Sequence, residues 1–250
     1  MGERLPKILS QWGIASRRQA EKMLLEGRVR LNGEIVHLGQ KADPNLDKIE
    51  VDGVAINPAS RPQQVYLLLN KPAGFVSTCH DPWHRPTVLD LLPKQLREAQ
   101  GIHPVGRLDA DSTGALLLTN DGELTHGLTH PRYHIAKTYH VRVQGRPSDS
   151  NLKQWRQGVR LSGQKTLPAQ VKVIKLLPHE QTLLSVVMQE GRNRQIRKIA
   201  EQLGYPVIRL HRIGIGPLQL RQLPSRQYRS LNSSEVSDLW NSIDAAASLQ

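Results

Sequence analysis

Three carboxylates, Asp109, Asp111 and Asp121, flank one apolar run, Ala115-Leu116-Leu117-Leu118. Gly106 and Gly114 bracket the first two and allow tight turns that expose a side chain at a cleft. By spacing alone, such an aspartate is a turn or cap residue, a metal-binding acid or a catalytic carboxylate. Asp and Gly are common in loops, so without further context the structural reading leads. His126, His130 and His134 recur every four residues and would align on a helix, but Pro131 interrupts it and no fixed acid or cysteine completes a metal set. They read as structural or surface residues, and no metal is expected. Ile213-Gly214-Ile215-Gly216-Pro217 is too short for a dinucleotide-binding loop and reads as a turn. Cys79 is the single cysteine, which excludes an internal disulfide and a cysteine-based metal site and favours a reducing cytosol.

The charge balance indicates the class of partner. Lys and Arg total 34 against 22 Asp and Glu, a formal +12. Such an excess concentrates polyanions and releases their counterions on binding. The cations form two blocks. One holds Arg17, Arg18, Lys22, Arg28 and Arg30, and the other, between Glu190 and Arg229, includes Arg192, Arg194, Arg197 and Arg212. Two separated blocks suggest a nucleic-acid footprint contributed by two parts of the chain. Aromatic residues make up only 4%, which argues against a platform stacking many bases in a row. No apolar run approaches bilayer length, and the start of the chain lacks the pattern of a signal peptide.

The elements that must position these groups follow from periodicity. The 250 residues suit one large domain and a small one, with 38% hydrophobic residues to supply their cores. Leu5, Ile8, Leu9 and Trp12 recur at helical spacing, and Gly13 stops that helix. Ser16 reads as the cap of a second helix, from Arg17 to about Glu26, with Gln19 completing a capping box. Asn32-Gly33 marks a hairpin, and a further strand covers Lys48–Val51. Asn57–Pro62 reads as a linker. Beyond it, strands are predicted from Val65 to Leu69 and over Ala115–Thr119, Lys137–Val143, Ala169–Leu176 and Leu183–Met188. Helices are predicted over Leu89–Leu92, Gly122–Thr129, Ser148–Gln157 and Arg194–Leu203. A last helix, capped at Ser233, carries an apolar stripe of Val236, Leu239, Trp240 and Ile243 that reads as packing. The fold class is α+β, with a mainly antiparallel sheet in the larger domain.

Two stretches carry a family resemblance. Arg4-Leu5-Pro6-Lys7-Ile8-Leu9, Ala15-Ser16-Arg17-Arg18-Gln19-Ala20-Glu21 and Gly27-Arg28-Val29-Arg30-Leu31-Asn32-Gly33 resemble the S4 RNA-binding domain. Gly106-Arg107-Leu108-Asp109 through Asp121-Gly122 resembles the signature of bacterial rRNA pseudouridine synthases that carry an N-terminal S4 domain. Leu69-Asn70-Lys71-Pro72-Ala73-Gly74, Lys137-Thr138-Tyr139-His140-Val141 and Glu190–Ile199 extend that resemblance in the family's order, from about Arg4 to Leu220. It implies an S4 domain over residues 1–58, a linker over 59–64, a synthase domain over 65–230 and a C-terminal helix and tail over 231–250.

The resemblance also implies roles. Asp109 is the catalytic carboxylate, which attacks the ribose C1′ or removes a 2′ proton. Arg197 pairs with it and holds it ionised, and Tyr139 stacks on the target base. Ile196 or Ile199 lines the apolar wall, Lys71 and Pro72 support the cleft from below, and Asp111 and Asp121 are turn and cap residues. Arg17, Arg18, Lys22, Arg28, Arg107, Arg192 and Arg194 face RNA, with Arg107 taking the place of the flipped base or holding a phosphate. The isomerisation neither gains nor loses a group, so no cofactor is expected. The implied partner is ribosomal RNA, 23S in preference to 16S on the form of Ser77–Val88, met free or in a ribosome assembly intermediate. A cytoplasmic monomer without membrane attachment completes the expectation. The residues leave two other classes open, a noncatalytic RNA-binding factor and a nucleoside or nucleotide hydrolase using Asp109 with Asp111.

Overall fold

The computed structural model describes residues 2–98 and 100–248. The chain divides into two compact units, Met1–Val65 with Leu92–His103 and Thr119–Gly122, and Tyr66–Leu91 with Pro104–Leu118 and Glu123–Gln250.

The first unit opens with two helices, α1 (Leu5–Gln11) and α2 (Arg17–Leu25). The capping box forms as the sequence requires. Ser16 Oγ accepts from the Gln19 amide at 3.3 Å, and Gln19 Oε1 accepts from the Ser16 amide at 3.0 Å. Four short strands follow, β1 (Val29–Leu31), β2 (Glu34–Ile35), β3 (Ile49–Val51) and β4 (Val54–Ala55), paired antiparallel in the order β2-β1-β3-β4. Asn32 and Gly33 take φ of 53° and 90°, the left-handed pair that closes a two-residue hairpin. Leu5, Ile8, Leu9, Ala20 and Leu24 meet Val29 and Ile49 in its core.

The second unit is built on one sheet whose main strands are β5 (Tyr66–Lys71), β6 (Thr113–Thr119), β7 (Lys137–Gln144), β8 (Gln170–Leu177), β9 (Gln181–Met188), β10 (Val207–Ile215) and β11 (Tyr228–Ser230). Their order is β8-β9-β7-β10-β6-β5-β11. The pairs β8-β9, β9-β7, β7-β10 and β5-β11 are antiparallel, and β10 runs parallel to β6. Along β9, Thr182, Leu184, Val186 and Met188 are buried at every second position, the period of a strand covered on one face. In β5 and β6 nearly every residue is buried, as in a strand covered on both faces.

Helices α3 (Gly122–Thr129), α4 (Asp149–Gln157), α5 (Gln195–Gln202) and α6 (Ser233–Ala247) cover the sheet. Leu152 and Trp155 of α4 and Ile196 and Ile199 of α5 join Val141, Leu184 and Val186 in one cluster. Leu124 and Leu128 of α3 and Leu239 and Ile243 of α6 join Leu68 and Leu117 in another. The stripe on the last helix is therefore packing. Gly127 makes it possible, because a Cβ there would lie 2.5 Å from Ile243 Cδ1.

The structure corrects three expectations. Strand β10 lies at the centre of the sheet, where the sequence predicts only a turn. The turn is real but begins at Gly216, which has φ of 52°. The residues predicted helical over Leu89–Leu92 form one 3-10 turn, Val88–Leu91. The last helix is capped by Asn232, whose side chain accepts from the Glu235 amide at 2.9 Å, and not by Ser233.

Candidate active site

The loop carrying Asp109 leaves the sheet where β6 meets β10. Thr113 pairs with His211 and Gly114 with Arg212 in parallel register. Gly114 has φ of +107°, and a Cβ there would lie 2.1 Å from the Arg212 carbonyl oxygen. Only glycine permits this approach. It fixes where residues 106–112 emerge.

Two buried cations hold the loop from beneath. Lys71, at the end of β5, is fully buried. Its Nζ donates to the carbonyls of Ser112 at 2.8 Å, Asp109 and Pro72 at 3.0 Å, and Ala110 at 3.4 Å. Burial pushes its pKa down to about 8, against the favourable charges of Asp111 and Asp109. The ring of carbonyl oxygens also favours the ammonium form, so Lys71 is charged at neutral pH. Arg212 of β10 is 4% exposed and donates from Nε to the Ala115 carbonyl at 2.7 Å and from Nη1 to the Arg107 carbonyl at 3.5 Å. Ser77 Oγ donates to the Leu108 carbonyl at 3.0 Å and accepts from the Leu108 amide at 3.2 Å. The backbone on either side of Asp109 is therefore tied to the scaffold by side chains that leave its carboxylate free to face the cleft.

That cleft, about 370 Å³, is lined by Arg107, Leu108, Asp109, Ser112, Tyr139, Met188, Gly191, Arg192, Asn193, Arg194, Gln195, Ile196 and Leu210. It brings the expected Asp109, Tyr139, Arg107, Arg192 and Arg194 together. Ile196 lines it and Ile199 does not, although both belong to the core cluster beneath α5. Arg17, Arg18, Lys22 and Arg28 lie in the other unit.

The electrostatic pairing differs from the expected one. Arg197 does not pair with Asp109. Its Nη2 lies 3.2 Å from Asp111 Oδ2 and 3.4 Å from Ser112 Oγ. The guanidinium at Asp109 is that of Arg194, whose Nη1 is 3.4 Å from Oδ2. Arg194 also grips Asp111 with both terminal nitrogens, each at 3.2 Å. Asp111 is thus a bridge between two arginines and not merely a turn residue. Its burial raises its carboxyl pKa, but the Arg194 hydrogen bonds and the charges of Arg197 and Arg194 outweigh this and hold it below the usual carboxylate value. Arg194 sits before α5 in the left-handed region, with φ of 53°, a strained conformation for an arginine that directs its side chain to the two aspartates. Sequence spacing carries no signal for that twist, nor for Ser77 as a backbone tie, whereas Lys71 sits beneath the loop as its motif implied.

Two cations expected to face RNA are occupied elsewhere. Arg192 contacts Glu190 Oε2 at 3.1 Å and the carbonyls of Lys165 at 2.9 Å and Gln164 at 3.4 Å, so it braces the cleft wall. Arg28 forms a two-point pair with Asp52 at 2.7 and 2.8 Å. In contrast, Arg17 and Arg18 are exposed at the start of α2, and Lys22 reaches Glu26 only at 3.6 Å. The rings of His126 and His130 lie 4.9 Å apart. Among the described residues no group of His, Cys, Asp or Glu is arranged to hold a metal ion, and no helix is long and apolar enough to cross a membrane.

Comparison with known proteins matches residues 65–202 to the RNA pseudouridylate synthase family and residues 3–47 to the S4 domain. A Bacillus subtilis (strain 168) protein named ribosomal large subunit pseudouridine synthase B is 42% identical over 239 residues, 95% of each chain. An Aquifex aeolicus protein named as an uncharacterized RNA pseudouridine synthase is 38% identical over 245 residues, covering 97% of this chain and 96% of that one. A crystal structure of a pseudouridylate synthase superposes with a TM-score of 0.68 at 31% identity, over 94% of this chain and 99% of that one.

Proposed function

The chain belongs to the RNA pseudouridine synthase family, and we propose that it isomerises one uridine of 23S ribosomal RNA through the carboxylate of Asp109, without a cofactor. The observation that carries this reading is the cleft that joins Asp109, Arg107, Tyr139 and Arg194 around space for one nucleotide base. The large-subunit name of the Bacillus subtilis relative supports the choice of RNA.

The reaction breaks the bond between ribose C1′ and uracil N1, turns the base and forms a bond between C1′ and C5. The C5 proton is lost and N1 gains one, so the sum of atoms and electrons is unchanged. A retaining glycosidase needs a second carboxylic acid for its leaving group and a water as acceptor. Here the detached uracil is the acceptor, so one carboxylate in a site closed to water suffices. Asp109 either attacks C1′ or takes the 2′ proton on the way to a glycal. Tyr139 stacks on the base against the apolar side formed by Leu108, Met188, Ile196 and Leu210. Arg194 sits at the carboxylate, and its grip on Asp111 keeps it from swinging away from Asp109.

The uridine must leave its stack first, at a cost of about a few kcal/mol. Arg107 is exposed beside Asp109 and fills the gap left by the base or holds a phosphate. Arg17, Arg18 and Lys22 on α2 meet backbone phosphates. A cytoplasmic setting, with rRNA free or in an assembling subunit, follows from this substrate.

The test is to incubate the protein with unmodified 23S and 16S transcripts and map pseudouridine by sequencing. Pseudouridine at one 23S position, with no free uracil, is expected. Release of uracil would instead mark a hydrolase. RNA binding without either product would mark a noncatalytic factor.

A further inference from the structure

The loop between Val76 and Thr87 is unusual for a solvent-exposed segment. Trp83 stands 74% exposed at its tip, although aromatic residues are scarce in this chain. The Arg85 guanidinium lies 5.0 Å from the centre of the Trp83 ring. A flat indole backed by a planar cation is the surface on which an unstacked nucleobase settles.

The pair is held rigid by a network that does nothing else visible. Asp81 is 6% exposed, and its carboxylate accepts from Arg85 Nη2 at 2.7 Å and Nε at 3.1 Å. It also accepts from the amides of Arg85 at 3.0 Å and Trp83 at 3.2 Å. One buried carboxylate therefore fixes the backbone of both residues and the side chain of one. The stem of the loop is closed by Val76 N donating to Pro86 O at 2.9 Å and Val88 N donating to Val76 O at 3.0 Å. Ser77, at the foot of the loop, is the residue that bridges both backbone groups of Leu108, next to Asp109. A loop displaying an apolar ring to water on a preformed frame is arranged for a ligand, because ordering has been completed before binding. Its attachment to the catalytic loop says where that ligand lies.

We propose that Trp83 and Arg85 form a stacking platform for an unpaired base of the RNA substrate, near the target uridine, and so help select which uridine enters the cleft. This rests on the reading of the chain as an enzyme acting on ribosomal RNA. Arg85 keeps the indole in place, its Nε and Nη2 being committed to Asp81. Trp83 is a specificity-determining residue and takes no part in the chemistry at C1′.

The test uses full-length protein and an unmodified 23S transcript. In an Asp109→Asn background, adding Trp83→Ala is expected to weaken binding of the transcript about 5- to 150-fold, the range for losing one base–aromatic stack. Trp83→Phe keeps a stacking ring and should restore affinity to within about threefold. In the otherwise wild-type enzyme, Trp83→Ala should raise KM by a similar factor and leave kcat within about twofold, with an unchanged melting temperature. Unchanged binding in Trp83→Ala, or Trp83→Phe no better than Trp83→Ala, would overturn the proposal. If the wild-type protein makes no pseudouridine in the transcript, the proposed activity fails, and the binding comparison still decides the role of Trp83.

Discussion

On α2 of the first unit, Arg17 and Arg18 stand exposed at the helix start, whereas Arg212 in β10 of the second is 4% exposed and donates to the carbonyl of Ala115. The two regions contribute to the same excess of positive charge. In the first, Arg17, Arg18 and Lys22 are peripheral to folding. In the second, Lys71, Arg192, Arg197 and Arg212 are structural parts, each spent on carbonyls or carboxylates within the unit. Net charge thus overstates the surface presented to RNA near the cleft, where cations serve first to shape the loop that bears Asp109. The difference predicts opposite consequences for removing them.

The largest effect on stability belongs to Lys71. Replacing it with Met leaves buried carbonyls of Pro72, Asp109 and Ser112 without their donor and should cost about 3 kcal/mol or more. That corresponds to a fall in melting temperature of roughly 10 °C for a domain of this size. Calorimetry checks it, and a melting point within a degree or two of wild type would mean that the buried ammonium does not hold the loop.

Removing the exposed cations should act on affinity alone. Arg17→Ala, Arg18→Ala and Lys22→Ala together should lower the slope of log affinity against log salt for an rRNA fragment by about 2. Stability should stay within about 0.5 kcal/mol of wild type. A loss of stability with an unchanged salt slope would reverse the assignment of the two regions.

A smaller, pH-dependent effect separates Asp111 from ordinary surface acids. Its folded pKa lies below its unfolded one, so its pairing stabilises fully above the unfolded value, about 4. That contribution is lost as pH falls through the lower folded value. Its carboxylate is half exposed, so the effect is modest. The stability gap between wild type and Asp111→Asn should be constant from pH 5 to 8 and shrink below about pH 4. A gap that does not change down to pH 2 would mean that the two arginines contribute nothing through this carboxylate.

Much of this arrangement was legible in the sequence, for identifiable reasons. The capping box at Ser16, the Asn32-Gly33 turn and the alternation along β9 are local signals, and all three appear where periodicity puts them. Strand β10 was not legible, because Arg209, His211 and Arg212 interrupt its apolar pattern, and the last two are satisfied only by the neighbouring strand and the loop they support. Thr113 Oγ1 and His211 Nδ1, for example, lie 2.8 Å apart across the parallel pair. Motif order put Asp109, Tyr139 and Arg197 at one site, with Arg194 facing RNA, and could not tell which arginine meets which aspartate. Asp109 and Asp111 are two residues apart, and the left-handed turn at Arg194 decides the pairing. The family motif implied that Lys71 supports the cleft from below, but not its partners, which are main-chain oxygens that any sequence would possess.

We propose that the Asp109 carboxylate performs the chemistry on a loop fixed by other residues. Single-turnover conversion of a 23S transcript by Asp109→Asn, beside wild type and Asp111→Asn, tests it most directly. Asp109→Asn should bind the transcript as wild type does, keep its melting temperature and form no detectable pseudouridine, while Asp111→Asn retains measurable conversion. Pseudouridine formed by Asp109→Asn at the wild-type position would contradict the account.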